Sequence, residues 1–167
     1  MMNESIIMRA RKLVRSCETT DPFRIARDIG VEVHYDDLGK LKGMYAFIKR
    51  NRFIVINNRL SERVKRIVCA HELGHDQFHR ELAKDKWLQE FMIYNMNLRT
   101  EYEANIFASE ILLPDDELLE LTDNGYDIEQ IAGTMYSDVN LVALKLAALT
   151  QQGYRFRHFE SRDNFLK

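Results

Sequence analysis

The sequence predicts an α+β fold in which a small mixed β-sheet packs on helices, on three observations. Apolar residues recur at helical spacing over residues 5–29. Between 31 and 57 the period switches to two. From 61 to 150 the helical period returns, and its last part reads as a helical pair. The 167 residues suit one ordinary domain, or one with a small appendage. The division expected is 1–122 for a main domain and 123–167 for a helix-turn-helix-like subdomain with a tail.

Residues 5–17 form the first predicted helix, with Ile6, Ala10, Leu13, Val14 and Cys17 on one side. Asp21 can cap a second helix, and Pro22 fits its first turn, where no N–H is needed. Gly30 ends it. Val31, Val33 and Tyr35 alternate with polar residues, as in a strand. Residues 43–49 and 52–57 are two more strands. The run Phe53–Ile56 is apolar on both faces, which predicts a buried strand. Ser61 is a candidate cap for a helix over 61–80. Residues 81–98 stay ambiguous, because FMIYNMN fits a short strand or a covering loop. Helices follow at 99–113, 115–121, 127–135 and 138–150, and the polar tail from Gln151 reads as loosely held.

The net charge of −2 leaves no broad footprint for nucleic acid or an anionic membrane. No segment has the uninterrupted apolar length of a membrane span, and the first residues lack a signal peptide's pattern. Cys17 and Cys69, the only cysteines, sit in apolar helical patterns and read as reduced core residues. A cytoplasmic protein is expected.

One segment carries chemistry. His71-Glu72-Leu73-Gly74-His75 reads H-E-x-x-H. Residues four apart share a helix face, so both imidazoles can reach one ion. Glu72 lies about 100° around the helix and flanks the ion, where it can take a proton from water as a general base. Val64, Ile67, Val68, His71, His75 and Phe78 form one stripe, so the histidines interrupt a core-facing surface. The bland alternative is two hydrogen-bonded core histidines.

A third ligand is required, with a fourth position left open. His79 is poorly placed, about 12 Å further along the axis at 1.5 Å per residue. It would need a break in the helix to turn back, and it reads better as a surface histidine or one that stands behind the ligands. Glu101 and Glu103 are the better candidates. Glu101 falls on the edge of the stripe of Ala104, Phe107, Ala108 and Ile111. Glu103 projects with Glu110 to the other side. A core-facing carboxylate needs a partner, which a zinc ion supplies. Asn105, one turn after Glu101, can hydrogen-bond a ligating histidine. Glu101 is therefore preferred, with Glu103 as the alternative. The same ligands also accommodate manganese or iron.

With VCAHELGHDQFHR at 68–80 and EYEANIFASEILLP at 101–114, the chain resembles the ImmA/IrrE family of metallopeptidases. Asp21-Pro22-Phe23, Gly43-Met44-Tyr45 and Ile54–Asn57 add to the likeness, which covers about residues 5–120. The resemblance implies a gluzincin-like fold, with the sheet beside the H-E-x-x-H helix. It also implies a Glu followed four residues later by Asp or Asn on the second helix of the site. Glu101 and Asn105 match that pattern; Glu103 does not. A zinc endopeptidase is implied, acting on a protein substrate, typically a helix-turn-helix repressor of a phage or mobile element.

Such a reaction needs a donor for the tetrahedral oxyanion. Tyr45, Tyr94, Tyr102 and His158 are candidates, and the sequence does not choose among them. A sheet edge can hold the substrate backbone, and residues 43–49 are the candidate edge. Two rival readings remain. Residues 127–150 resemble a helix-turn-helix, yet Asn140 and Lys145 are nearly its whole supply of donors, which argues against direct DNA binding. A zinc domain that binds a partner without cleaving it would have no use for Glu72.

Overall fold

The structure, a computed structural model, describes residues 2–84, 87–90 and 98–156. The stretch FMIYNMN, together with Tyr94 and His158, lies outside the described residues.

Seven helices and four strands are seen among the described residues. Helix α1 (Met2–Cys17) buries Ile6, Ala10, Leu13 and Cys17, one residue per turn. Helix α2 (Pro22–Asp28) starts as expected: Asp21 accepts a hydrogen bond from the Phe23 N–H, with Pro22 in the first turn. Three strands follow, β1 (Glu32–Asp36), β2 (Gly43–Ile48) and β3 (Asn51–Asn57). The β2–β3 turn holds Lys49 and Arg50 at positive φ, the hairpin geometry that matches strand twist. Helix α3 (Glu62–Phe78) is capped by Ser61. Strand β4 (Trp87–Glu90) precedes α4 (Arg99–Leu112), α5 (Asp115–Asp123), α6 (Ile128–Thr134) and α7 (Val139–Gln151).

The sheet is mixed, in the order β1-β3-β2-β4. β1 runs parallel to β3, with Val33 opposite Ile54, and β2 runs antiparallel to both β3 and β4. This corrects the expected edge: residues 43–49 are an interior strand, and the edges are β1 and β4. The sequence could not show it, because 81–98 carries no clear strand pattern. β3 is central, but only Ile54 and Ile56 are fully buried; Phe53 and Val55 stay half-exposed, so helices cover one face.

α3 lies between that face and α4, and every residue from Ile67 to Asp76 is buried. α1 and α7 close over α4 from other sides. One apolar core therefore runs from Ile6 to Phe156, and it includes Ile131, Leu141 and Leu149 of the last two helices. Phe156 packs into it, so the polar tail is held at least to that residue. Both cysteines are free and buried, and burial pushes the Cys69 thiol well up. No helix among the described residues is long and apolar enough to cross a membrane.

Candidate metal centre

His71 and His75 occupy successive turns of α3, and both rings point at α4. Their Nε2 atoms are 3.1 Å apart. Glu101, in the first turn of α4, brings Oε2 to 3.2 Å from His71 Nε2 and Oε1 to 3.5 Å from His75 Nε2. These separations fit a tetrahedral ion, whose ligands at roughly 2.0–2.1 Å lie about 3.3 Å from one another. Ligand atoms of the three residues all lie within 4.8 Å of each other, the one such group among the described residues. The donor set of two imidazoles and a carboxylate suits a divalent metal.

Close helix packing makes this convergence reachable. At Gly74, between the two histidines, a Cβ would lie 2.8 Å from Ala104 Cα and 3.1 Å from its carbonyl oxygen. Only a missing side chain lets the α4 backbone come so near. Ala104 is small for the same reason.

The far sides of the imidazoles are held differently. His71 Nδ1 lies 3.0 Å from Asn105 Oδ1, the contact expected of Asn105. His75 Nδ1 lies 3.0 Å from His79 Nδ1. The break that His79 needs is present, since α3 ends at Phe78 and His79 is its C-cap. Glu103 Oε2 is 3.0 Å from His79 Nε2, and Glu103 Oε1 accepts from Arg99 Nε at 2.8 Å. Burial opposes charge on Glu103, but the hydrogen bonds from Arg99 and His79 outweigh it and hold its pKa below the usual value. His75 is pushed down from 6.5 to about 4, chiefly by burial, with the charges of His71 and His79 adding to it against Glu101.

Glu103 thus turns away from the three-residue group, on the other side of α4 from Glu101. Glu103 and Glu110 are both buried, because α4 is enclosed from Glu103 to Leu112. The role of Glu103 was not legible in the chain. The spacing of His71, His75 and His79, each four apart, was the one signal that pointed to His79.

Glu72 is fully buried and faces β2. A Cβ on Gly43 would sit 2.8 Å from Glu72 Oε1 and 2.5 Å from Val68 Cγ1. Asn57 secures the approach to Gly43 by donating to the carbonyls of Gly39 and Leu41, at 3.1 and 2.8 Å. Asp76, on the sheet side of α3, accepts from Tyr45 Oη at 2.8 Å and pairs with Arg52 at 3.2 Å. Burial and the Asp76 charge raise the Tyr45 pKa. Tyr45 therefore ties β2 to α3 and is no longer a candidate for the oxyanion. Tyr102 is half-buried against the core.

In the last two helices, Lys145 is 1% exposed and pairs with Glu110 at 2.7 Å and Asp115 at 2.5 Å. Arg63 of α3 donates to the Ser137 carbonyl at the corner between α6 and α7.

Comparison with known proteins agrees with this architecture. A peptidase family model described as the IrrE N-terminal-like domain matches residues 26–155. The uncharacterized immunity region protein 2 of Bacillus phage phi105 is 33% identical over 123 residues, 73% of this chain and 77% of its own. The metallopeptidase ImmA of Bacillus subtilis strain 168 is 26% identical over 132 residues, 78% of this chain and 77% of its own. The matched span takes in both helices of the metal centre, and the chain belongs to the ImmA/IrrE family of metallopeptidases.

Proposed function

We propose that this protein is a cytoplasmic zinc endopeptidase, with the ion held by His71, His75 and Glu101 and with Glu72 as general base. The observation that carries it is the convergence of two buried imidazoles and the Glu101 carboxylate, with a second acid, Glu72, fully buried next to His71 in the chain. When bound, zinc supplies acidity to a water molecule and polarises a carbonyl. Glu72 takes a proton at its carboxylate and hands it to the departing amine. Gly43 leaves room for that carboxylate beside β2. His79 and Asn105 hold the imidazoles from behind. Glu72 is fully buried near Val68 and Gly43, and burial strengthens charge interactions there.

The substrate proposed is a helix-turn-helix repressor of a phage or mobile element. A similar protein named for a phage immunity region supports that setting. An extended substrate segment can pair with the outer edge of β4, the terminal strand of the sheet among the described residues. The subdomain from 123 onward serves to grip the protein target. Direct DNA binding by α6 and α7 is disfavoured further, since Lys145 is spent on Glu110 and Asp115.

The test is elemental analysis of wild type and Glu101→Ala, with zinc-loaded wild type and Glu72→Gln incubated with purified repressor. Expected are about one zinc per wild-type chain, its loss in Glu101→Ala, and a specific cut by wild type. Glu72→Gln should keep the metal and lose roughly 10²–10⁴-fold in rate. Wild-type turnover in Glu72→Gln would remove Glu72 as the base. A wild type that takes up no supplied zinc would end the peptidase reading.

A further inference from the structure

Three imidazoles stand in a row along α3 and its C-cap, but only two belong to the metal centre. The third sits behind His75, with its own carboxylate. We propose that His79 and Glu103 are a positioning pair that fixes the ring orientation and tautomer of His75. The inference rests on the zinc reading above.

Counting hydrogens on the ring nitrogens carries it. His75 Nε2 faces His71 and Glu101, so as a ligand it keeps its lone pair for the ion, and its proton sits on Nδ1. That N–H points at His79 Nδ1, 3.0 Å away, which must accept. The His79 proton is then on Nε2, which donates to Glu103 Oε2 at 3.0 Å. Glu103 Oε1 receives the Arg99 guanidinium at 2.8 Å. Each contact has one donor and one acceptor. With the His79 proton on Nδ1 instead, two donors would meet at His75, and a lone pair would face the carboxylate.

Chain geometry explains why both residues are needed. His79 follows the last residue of α3, where φ −122° and ψ 19° leave the helical path. Its N–H still bonds the His75 carbonyl at 2.8 Å, which keeps its ring beside that of His75, with centroids 5.0 Å apart. Glu103 comes two residues after Glu101, so one turn of α4 serves the ion with one acid and His79 with the other. His71 is held by the neutral amide of Asn105. His75 is backed, through His79, by a carboxylate, which raises the basicity of a ligating ring and limits its rotation.

Two measurements test the pair. The first is the long-range ¹H–¹⁵N spectrum of the histidine rings in zinc-loaded wild type. The second is the zinc dissociation constant, by competition with a chromophoric chelator, for wild type, His79→Ala, Glu103→Ala, Glu103→Gln and the double alanine variant. The spectrum should show His79 protonated at Nε2 and His75 at Nδ1. Each alanine variant should bind zinc roughly 10–100-fold more weakly, and the double variant no worse than the singles, because both act through one contact. Glu103→Gln, whose amide oxygen still accepts, should recover most of the affinity. A wild-type His79 protonated at Nδ1 would overturn the proposal. So would folded alanine variants that bind zinc as tightly as wild type, while leaving the metal centre itself intact. Absence of zinc binding by wild type would remove both readings. If a variant does not fold, the wild-type spectrum decides alone.

Discussion

The Gly74 Cα stands so close to Ala104 that a methyl group between them would lie 2.8 Å from the Ala104 Cα. This contact joins the helix carrying His71 and His75 to the helix carrying Glu101. Gly74→Ala meets backbone, which cannot swing aside as a side-chain tip can. The helices must part, at about 1–3 kcal/mol, and Glu101 must leave the imidazoles. Expected are a lower urea midpoint and weaker zinc binding in a chelator competition. A variant with wild-type zinc affinity would show that the two helices can separate without moving the ligand.

Gly43→Ala tests a different contact. The added methyl would meet Val68, which is stiff at χ1, and the Glu72 carboxylate, which can move. Displacing Glu72 leaves the three ligands in place. Zinc content should stay at the wild-type level while turnover falls roughly 10²-fold, the scale of a 1 Å misplacement. Loss of zinc together with turnover would mean that the strand holds the ligands as well as the base.

The metal-free protein should lose stability in mild acid. Folded His75 has its pKa pushed from 6.5 down to about 4. Between those values the unfolded chain takes up a proton that the folded chain refuses, so unfolding becomes easier as pH falls. The stability is complete above about pH 6.5 and is lost towards pH 4, by about 3 kcal/mol at 1.36 kcal/mol per pKa unit. Urea unfolding in chelator at pH 7.5 and pH 5 measures it. His75→Gln should flatten the difference; an equal slope in that variant would assign it to other groups.

Lys145→Ala should cost about 3 kcal/mol, since among the described residues it leaves buried Glu110 with the Arg11 contact at 3.0 Å. Lys145→Met, which fills the space but not the charge, should destabilise nearly as much while Glu110 remains. Combining it with Glu110→Gln should recover part of the loss. Thermal melts of the three variants would show this, and a neutral Lys145→Ala would mean that Arg11 alone satisfies Glu110.

The chain by itself determined the local elements and the spacing of the candidate metal-binding residues. Period two against period 3.6 separates β1–β3 from the helices, and Asp21 and Ser61 mark helix starts because each can bond a free N–H within its own turn. His71, Glu72 and His75 lie within one helix, so their spacing is a property of the sequence. Relations between elements were decided only by the tertiary structure. Strand order turned residues 43–49 from an edge into an interior strand, since pairing partners are chosen by long-range packing. Enclosure of α4 by α3, α1 and α7 buried Glu103 and Glu110, which the pattern of one helix places on an outer side. Whether a polar residue faces water or a partner depends on what packs against it, and that neighbour is far away in sequence.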